Sequence, residues 1–221
     1  MGIKAVTFDL DDTLAFLRRD RSSILEEAAV SVGAPSLSRS AYLKAHRQHH
    51  DHETREAVFA EMLDATDRED IDPLHLARAY REGIGDSLEP LAGADRLLDR
   101  LSEHCLVGLV TNGPVIAQRD KLERIGWIDR FDTVVISGQV GVAKPDARPF
   151  EVACDNLGVT ADEVVHVGDH PVEDIRGALD AGMRAIHVGD DPEAVPDGVV
   201  HIHPDELVST LPDHLPRLSP A

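Results

Sequence analysis

The chain has 221 residues, 42% of them apolar, and a formal net charge of −19. That is enough apolar material for a buried core. No stretch is long and apolar enough to span a bilayer, and so large an acidic excess works against nucleic acid and anionic membranes as partners. The excess reads either as a solvating surface or as adaptation to a high-salt interior, where ions screen it. Met1-Gly2-Ile3-Lys4 runs straight into a strand-like segment without a leader, so a cytoplasmic location is expected. There Cys105 and Cys154, the only two cysteines, would be reduced structural thiols.

Taken in chain order, Ile3 to Phe8 is a short β-branched and aromatic run closed by a turn-prone cluster, which suits a buried strand of a parallel sheet. Four more runs of that kind follow at Leu106 to Val110, Thr133 to Ile136, Val164 to Val167 and Arg184 to Val188. Helical patterns alternate with them at Ala92 to Ser102, Val115 to Ile125, Arg148 to Leu157 and Val172 to Ala181, the last closed by Gly182. The alternation predicts a doubly wound α/β core with a parallel sheet.

Residues 16 to 88 have a different texture, helical with no convincing strand, and predict an inserted helical subdomain. Its helices are expected at Ser23 to Val32, Ser38 to His49, Glu53 to Ala65 and Pro73 to Gly83, with hinges at Leu14 to Phe16 and Glu89 to Gly93. Residues 1–15 and 89–221 would then form the core. The Pro-rich end from Pro212 is expected to fray.

The first four core strands each deliver a reactive residue at or beyond the C-terminal end, where ligands bind in open α/β sheets. The first gives Asp9 and Asp11, the second Thr111-Asn112-Gly113, the third is followed by Lys144, and the fourth gives Asp169 and Asp174. One such aspartate alone is more often a cap or turn residue; four groups in order make a site. Phosphoryl transfer needs a nucleophile, a hard cation, donors for the phosphate oxygens and a proton donor for the leaving group. Asp9, first beyond the strand, fits the nucleophile and Asp11 the acid and base. Mg²⁺ would take Asp9, Asp169 and the carbonyl of Asp11, and Thr111, Asn112 and Lys144 would cradle the phosphate.

The segments "FDLDDTL", "TNG", "GVAKPD" and "GDHPVED" resemble the four ordered motifs of the haloacid dehalogenase superfamily of hydrolases. The resemblance covers roughly residues 3 to 15 and 90 to 190. It implies a Rossmann-like core, an aspartyl-phosphate intermediate and Mg²⁺, with Asp9, Asp11, Thr111, Lys144 and Asp169 on the family's functional positions. Asp174 matches an acidic position that supports or binds the metal, and residues 16 to 88 match a type-one cap. The wording is most similar to the branch holding nucleotidases and sugar-phosphate phosphatases. Asp11 favours a phosphatase or phosphomutase, since the dehalogenases lack an acid two residues after the nucleophile. The implied partner is a small phosphorylated substrate met by a monomer or homodimer, and a phospho-receiver-like or silent binding module is the rival reading.

Three further features carry weaker expectations. In the cluster His46, His49, His50 and His52, His46 with His49 or His50 has the one-face helical spacing that suits a metal, and the alternatives are a contact with the leaving group or only a polar face. Arg18, Arg19 and Arg21 would either bind an anionic substrate tail or be solvated. Lys44, the only lysine of the insert, would be a solvated charge rather than a Schiff-base lysine.

Overall fold

The structure, a computed structural model, describes residues 2–49, 53–66, 68 and 70–215. It opens with β1 (Ala5–Phe8), whose four residues are all buried. A loop then leads into β2 (Ala15–Leu17) and a run of four helices: α1 (Arg21–Ser31), α2 (Arg39–Gln48), α3 (Glu56–Asp64) and α4 (Pro73–Ser87). The chain returns through β3 (Leu88–Pro90), α5 (Ala94–Ser102), β4 (Leu106–Thr111), α6 (Val115–Arg124) and β5 (Thr133–Ile136). The remainder is α7 (Ser137–Val140), α8 (Arg148–Leu157), β6 (Val164–Gly168), a π-helical turn at Pro171–Arg176, α9 (Gly177–Asp180), β7 (Arg184–Val188), β8 (Val200–Ile202) and α10 (Leu207–His214).

Six strands form one parallel sheet in the order β5-β4-β1-β6-β7-β8. The chain builds outward from β1 on one side, crosses over, and builds outward on the other. The strand order therefore reverses beside β1, and the C-terminal ends of β1, β4 and β6 open a crevice there. Side-chain alternation along β1 sends Val6 and Phe8 into a core with α5, α6 and α10, whereas Ala5 meets Phe150 and Ile175 on the opposite face. This is the doubly wound α/β core that the strand and helix pattern implied, Rossmann-like as the family resemblance implied.

The helices of residues 21–87 pack around a separate cluster that includes Tyr42, Phe59, Tyr80, Leu25 and Leu76. Several expected boundaries shift for local reasons. Helix α1 starts at Arg21 because the Asp20 carboxylate accepts from the Ser22 and Ser23 amides. Helix α4 runs through Gly83 to Ser87; a Cβ at Gly83 would press on Ile24, so the glycine serves the close packing of α1 on α4 rather than a helix end.

Strands β2 and β3 pair antiparallel into a two-stranded ribbon that carries the chain out of the core and back. At three residues each they are too short to show alternation in sequence, and the same holds for β8. The expected helix from Val172 is instead a π turn followed by a short α-helix, with the His170 carbonyl accepting from both Asp174 and Ile175. At the chain's end α10 contains Pro212 and reaches His214; residues 216–221 lie outside the described residues. Cys105 and Cys154 are buried and unpaired with each other. Among the described residues no helix is long and apolar enough to cross a membrane.

Candidate active site

The crevice at the sheet's switch point holds a cavity of about 230 Å³ lined by Asp9, Asp11, Thr111, Asn112, Lys144, Asp169 and Asp174, all seven residues singled out from the sequence, together with Asp12, His46, His170 and Glu173. Local structure explains the convergence. The loop after β1 turns sharply, with Asp12 in the left-handed region (φ 59°), a conformation aspartate tolerates better than most residues. Asp9 continues the line of β1, its amide donating to the Val167 carbonyl at 2.9 Å. The π turn folds Asp174 back beneath Gly168, where a Cβ would collide with its carboxylate.

Lys144 is the electrostatic hub. Its ammonium, 1% exposed, donates to Asp9 Oδ1 at 2.7 Å, Asp174 Oδ1 at 2.5 Å and the Val110 carbonyl at 2.7 Å, which uses all three of its protons. Burial alone would push the Lys144 ammonium down, and the two carboxylates reverse that and hold it charged. Asp174 also takes a hydrogen bond from the His170 amide (2.9 Å) and lies 3.2 Å from His166 Nε2. Burial would raise it, but Lys144 and His166 hold it well below the usual carboxylate range.

Asp9 and Asp169 behave oppositely. Burial, with Asp174, Asp11 and Asp169 close by, raises Asp9 well above its ordinary range despite Lys144. Burial and the charges of Asp174 and Asp12 push Asp169 up to about 7. A carboxylate oxygen of each of Asp9, Asp169 and Asp174 lies within 4.8 Å of the others. Three hard oxygen donors whose mutual repulsion is only half relieved fit a hard divalent cation. With Lys144, His166 and the His170 amide already on Asp174, the less committed donors are on Asp9 and Asp169.

Asp11 points away from that group. Lys121 Nζ lies 2.7 and 2.6 Å from its two carboxylate oxygens, Gln118 Nε2 donates at 3.0 Å, and Arg21 stands 3.7 Å away. Burial opposes ionisation of Asp11, yet these partners hold it far below the ordinary range. The Asn112 carboxamide clamps the Lys144 backbone, accepting from its amide at 2.9 Å and donating to its carbonyl at 3.0 Å, and also donates to Glu173 at 2.8 Å. That side chain therefore fixes the loop that carries Lys144. Thr111 Oγ1 accepts from Gln118 at 2.6 Å and keeps its own proton for a ligand.

Lys121, Gln118, His166 and Glu173 were missed from the sequence. The first two left only a faint trace, their place with Ala117 and Leu122 on the face of α6 that the structure buries, where apolar residues belong. Of the arginines, Arg18 pairs with Glu89 and Arg19 with Glu27, and only Arg21 faces the site, bonded to Asp12 at 2.9 Å. Lys44 is exposed on α2 and does not line the cavity. His46 does line it, stacked on Tyr42, whereas His49 meets Glu61 at 2.9 Å. His50 and His52 lie outside the described residues. Among the described residues no histidine joins a metal-ligating group.

The family model of haloacid dehalogenase-like hydrolases matches residues 3–182. The chain belongs to that family. It is 40% identical to the phosphoserine phosphatase of Thermus thermophilus over 149 residues, which are 65% of this chain and 59% of that protein, so the match spans about three fifths of that relative. It is 32% identical to the glyceraldehyde 3-phosphate phosphatase of Methanothermobacter thermautotrophicus over 225 aligned residues, 98% of each chain. The crystal structure of a haloacid dehalogenase-family phosphatase from Thermococcus onnurineus superposes with a TM-score of 0.68 at 25% identity, covering 97% of this chain and 100% of that one.

Proposed function

We propose that this hydrolase is a phosphatase that cleaves small phosphoric monoesters through a phosphorylated Asp9. The observation that carries the reading is the buried Lys144 joining Asp9 to Asp174 beside the Thr111 hydroxyl, with a second carboxylate, Asp11, held apart from them. Metal-free dehalogenase chemistry has no use for that second carboxylate. Full-length relatives named as phosphatases support the same reading.

Lys144 fixes one oxygen of Asp9, and the other attacks phosphorus as the bond to the leaving oxygen breaks. Asp11 gives that oxygen a proton, then takes one from the water that hydrolyses the aspartyl-phosphate and regenerates Asp9. Lys121 keeps Asp11 ionised before substrate arrives, so the proton it donates comes with the ester, whose second ionisation lies near about 6. Thr111 and the loop clamped by Asn112 receive the phosphate oxygens. Mg²⁺, held by Asp9, Asp169 and the Asp11 carbonyl with Asp174 in support, would spread the phosphate's negative charge.

Residues 16–88 act as the cap and 1–15 with 89–221 as the catalytic core, and His46 of α2 is the cap group that meets the leaving group. A cavity of about 230 Å³ fits a small metabolite, a sugar phosphate or nucleoside monophosphate, better than a phosphoprotein. The test is turnover of an aryl phosphate and a panel of phosphorylated metabolites with Mg²⁺ and with excess chelator. Turnover that chelator abolishes and Mg²⁺ restores is expected. Full activity in chelator, or release of halide from a 2-haloacid in its place, would overturn the reading.

A further inference from the structure

We infer that Lys121 and Gln118 of α6 are positioning residues that aim the Asp11 carboxylate at the leaving group; the inference rests on the phosphatase reading above. Neither residue lines the cavity, although both are buried, Gln118 fully and Lys121 at 4% exposure. They stand behind Asp11 and act through it. Lys121 Nζ spans both carboxylate oxygens at 2.7 and 2.6 Å, which fixes the plane of the carboxylate as well as its direction. The Gln118 amide nitrogen lies within 3.0 Å of Asp11 Oδ2, 2.6 Å of Thr111 Oγ1 and 2.9 Å of the Asn112 carbonyl. One side chain thus sets the proton-transfer group and the phosphate-binding turn in a common frame.

The surrounding charge shows why aiming is needed. Asp9, Asp12, Asp169 and Asp174 line the same small cavity, and Asp9, Asp169 and Asp174 offer oxygens to one cation. A carboxylate on the loop after β1 that lacked its own cation would be drawn to a cation seated there and away from the leaving oxygen. Lys121 supplies that competing charge from the core, where α6 is anchored by buried Leu122. Arg21, the nearest guanidinium on the cap side, stands farther off at 3.7 Å and is bonded to Asp12. Asp11 is thus held from α6 of the core by two partners that do not belong to the helices of residues 21–87.

Positioning predicts a particular pattern of kinetics. Misplacing a reacting group by about 1 Å can cost on the order of 10²-fold, and the loss grows with the leaving group's need for a proton. Lys121→Met is expected to lower kcat for an alkyl phosphate at least about tenfold more than for para-nitrophenyl phosphate, with KM within about twofold. Lys121→Arg should recover part of the loss. In an Asp11→Asn background Lys121→Met should add less than about twofold, because the group it aims is gone. Equal losses on both esters, or full additivity with Asp11→Asn, would overturn the inference. Should Lys121→Met fail to fold, Lys121→Gln, neutral but still a donor, carries the same comparison. Wild-type protein that turns over neither ester would sink the phosphatase reading itself, whereas turnover with unchanged leaving-group dependence in the variants sinks only the role of Lys121.

Discussion

The two halves of the active-site wall are built on opposite terms. On the core side most polar groups are tied to one another: Lys144 to Asp9 and Asp174, Asn112 to the Lys144 backbone, Lys121 to Asp11. On the helical side, among the described residues, the cavity lining comes from His46, borne by α2 over an aromatic cluster of Tyr42, Phe59 and Tyr80, with Arg21 of α1 paired to Asp12 at its edge. A cross-linked ionic network cannot tolerate a changed member without leaving a buried charge unpaired. A side chain borne by the separate helical cluster can be exchanged without unpairing a charge of that network. The division suits an enzyme whose chemistry is fixed and whose leaving group is chosen separately.

The sharpest way to stress the core side is through its unrelieved charge. Burial, with the charges of Asp174 and Asp12, pushes Asp169 from its ordinary 3.8 up to about 7, so between those values the folded chain binds more protons than the unfolded one. Stability of the metal-free protein should therefore fall as pH rises through that window, and a bound cation should restore it. Because the cation needs the carboxylates, Mg²⁺ affinity should drop by at least about tenfold for each pH unit below 7 and more gently above it. Calorimetric titrations from pH 5 to 8 read this directly; a flat profile would place the cation away from Asp169.

A smaller effect is expected on the helical side. His46→Ala should lower kcat/KM for the preferred metabolite about fivefold, the worth of one hydrogen bond of about 1 kcal/mol, and leave an aryl phosphate within about twofold. Equal loss on both esters would mean that His46 serves the chemistry, and the contrast between the two walls would fail.

The same contrast explains what was legible in the sequence. Asp9, Thr111, Lys144 and Asp169 stand at the ends of strands β1, β4 and β6 or in the loop after β5, and strand ends in a parallel sheet converge wherever the strand order reverses. The residues that hold them were hidden. Lys121 and Gln118 occupy one face of α6 next to buried apolar neighbours, and a lysine in a helix ordinarily reads as solvated. Nothing local to Glu173 says that it will meet Asn112, 61 positions away in the chain. The helices of residues 21–87 were recognisable from periodicity, but which of their side chains faces the cavity depends on how the ribbon of β2 and β3 aims them, and that ribbon is too short to leave a pattern.

The central claim is that the phosphoryl group passes through Asp9. Wild-type protein mixed with an aryl phosphate and Mg²⁺, quenched in acid within milliseconds and mapped by peptide mass spectrometry, should carry phosphate on the peptide containing Asp9. Asp9→Asn protein treated identically should carry none and show no turnover. Phosphate on any other residue, or rapid turnover with the Asp9 peptide unmodified at every time point, would contradict the account.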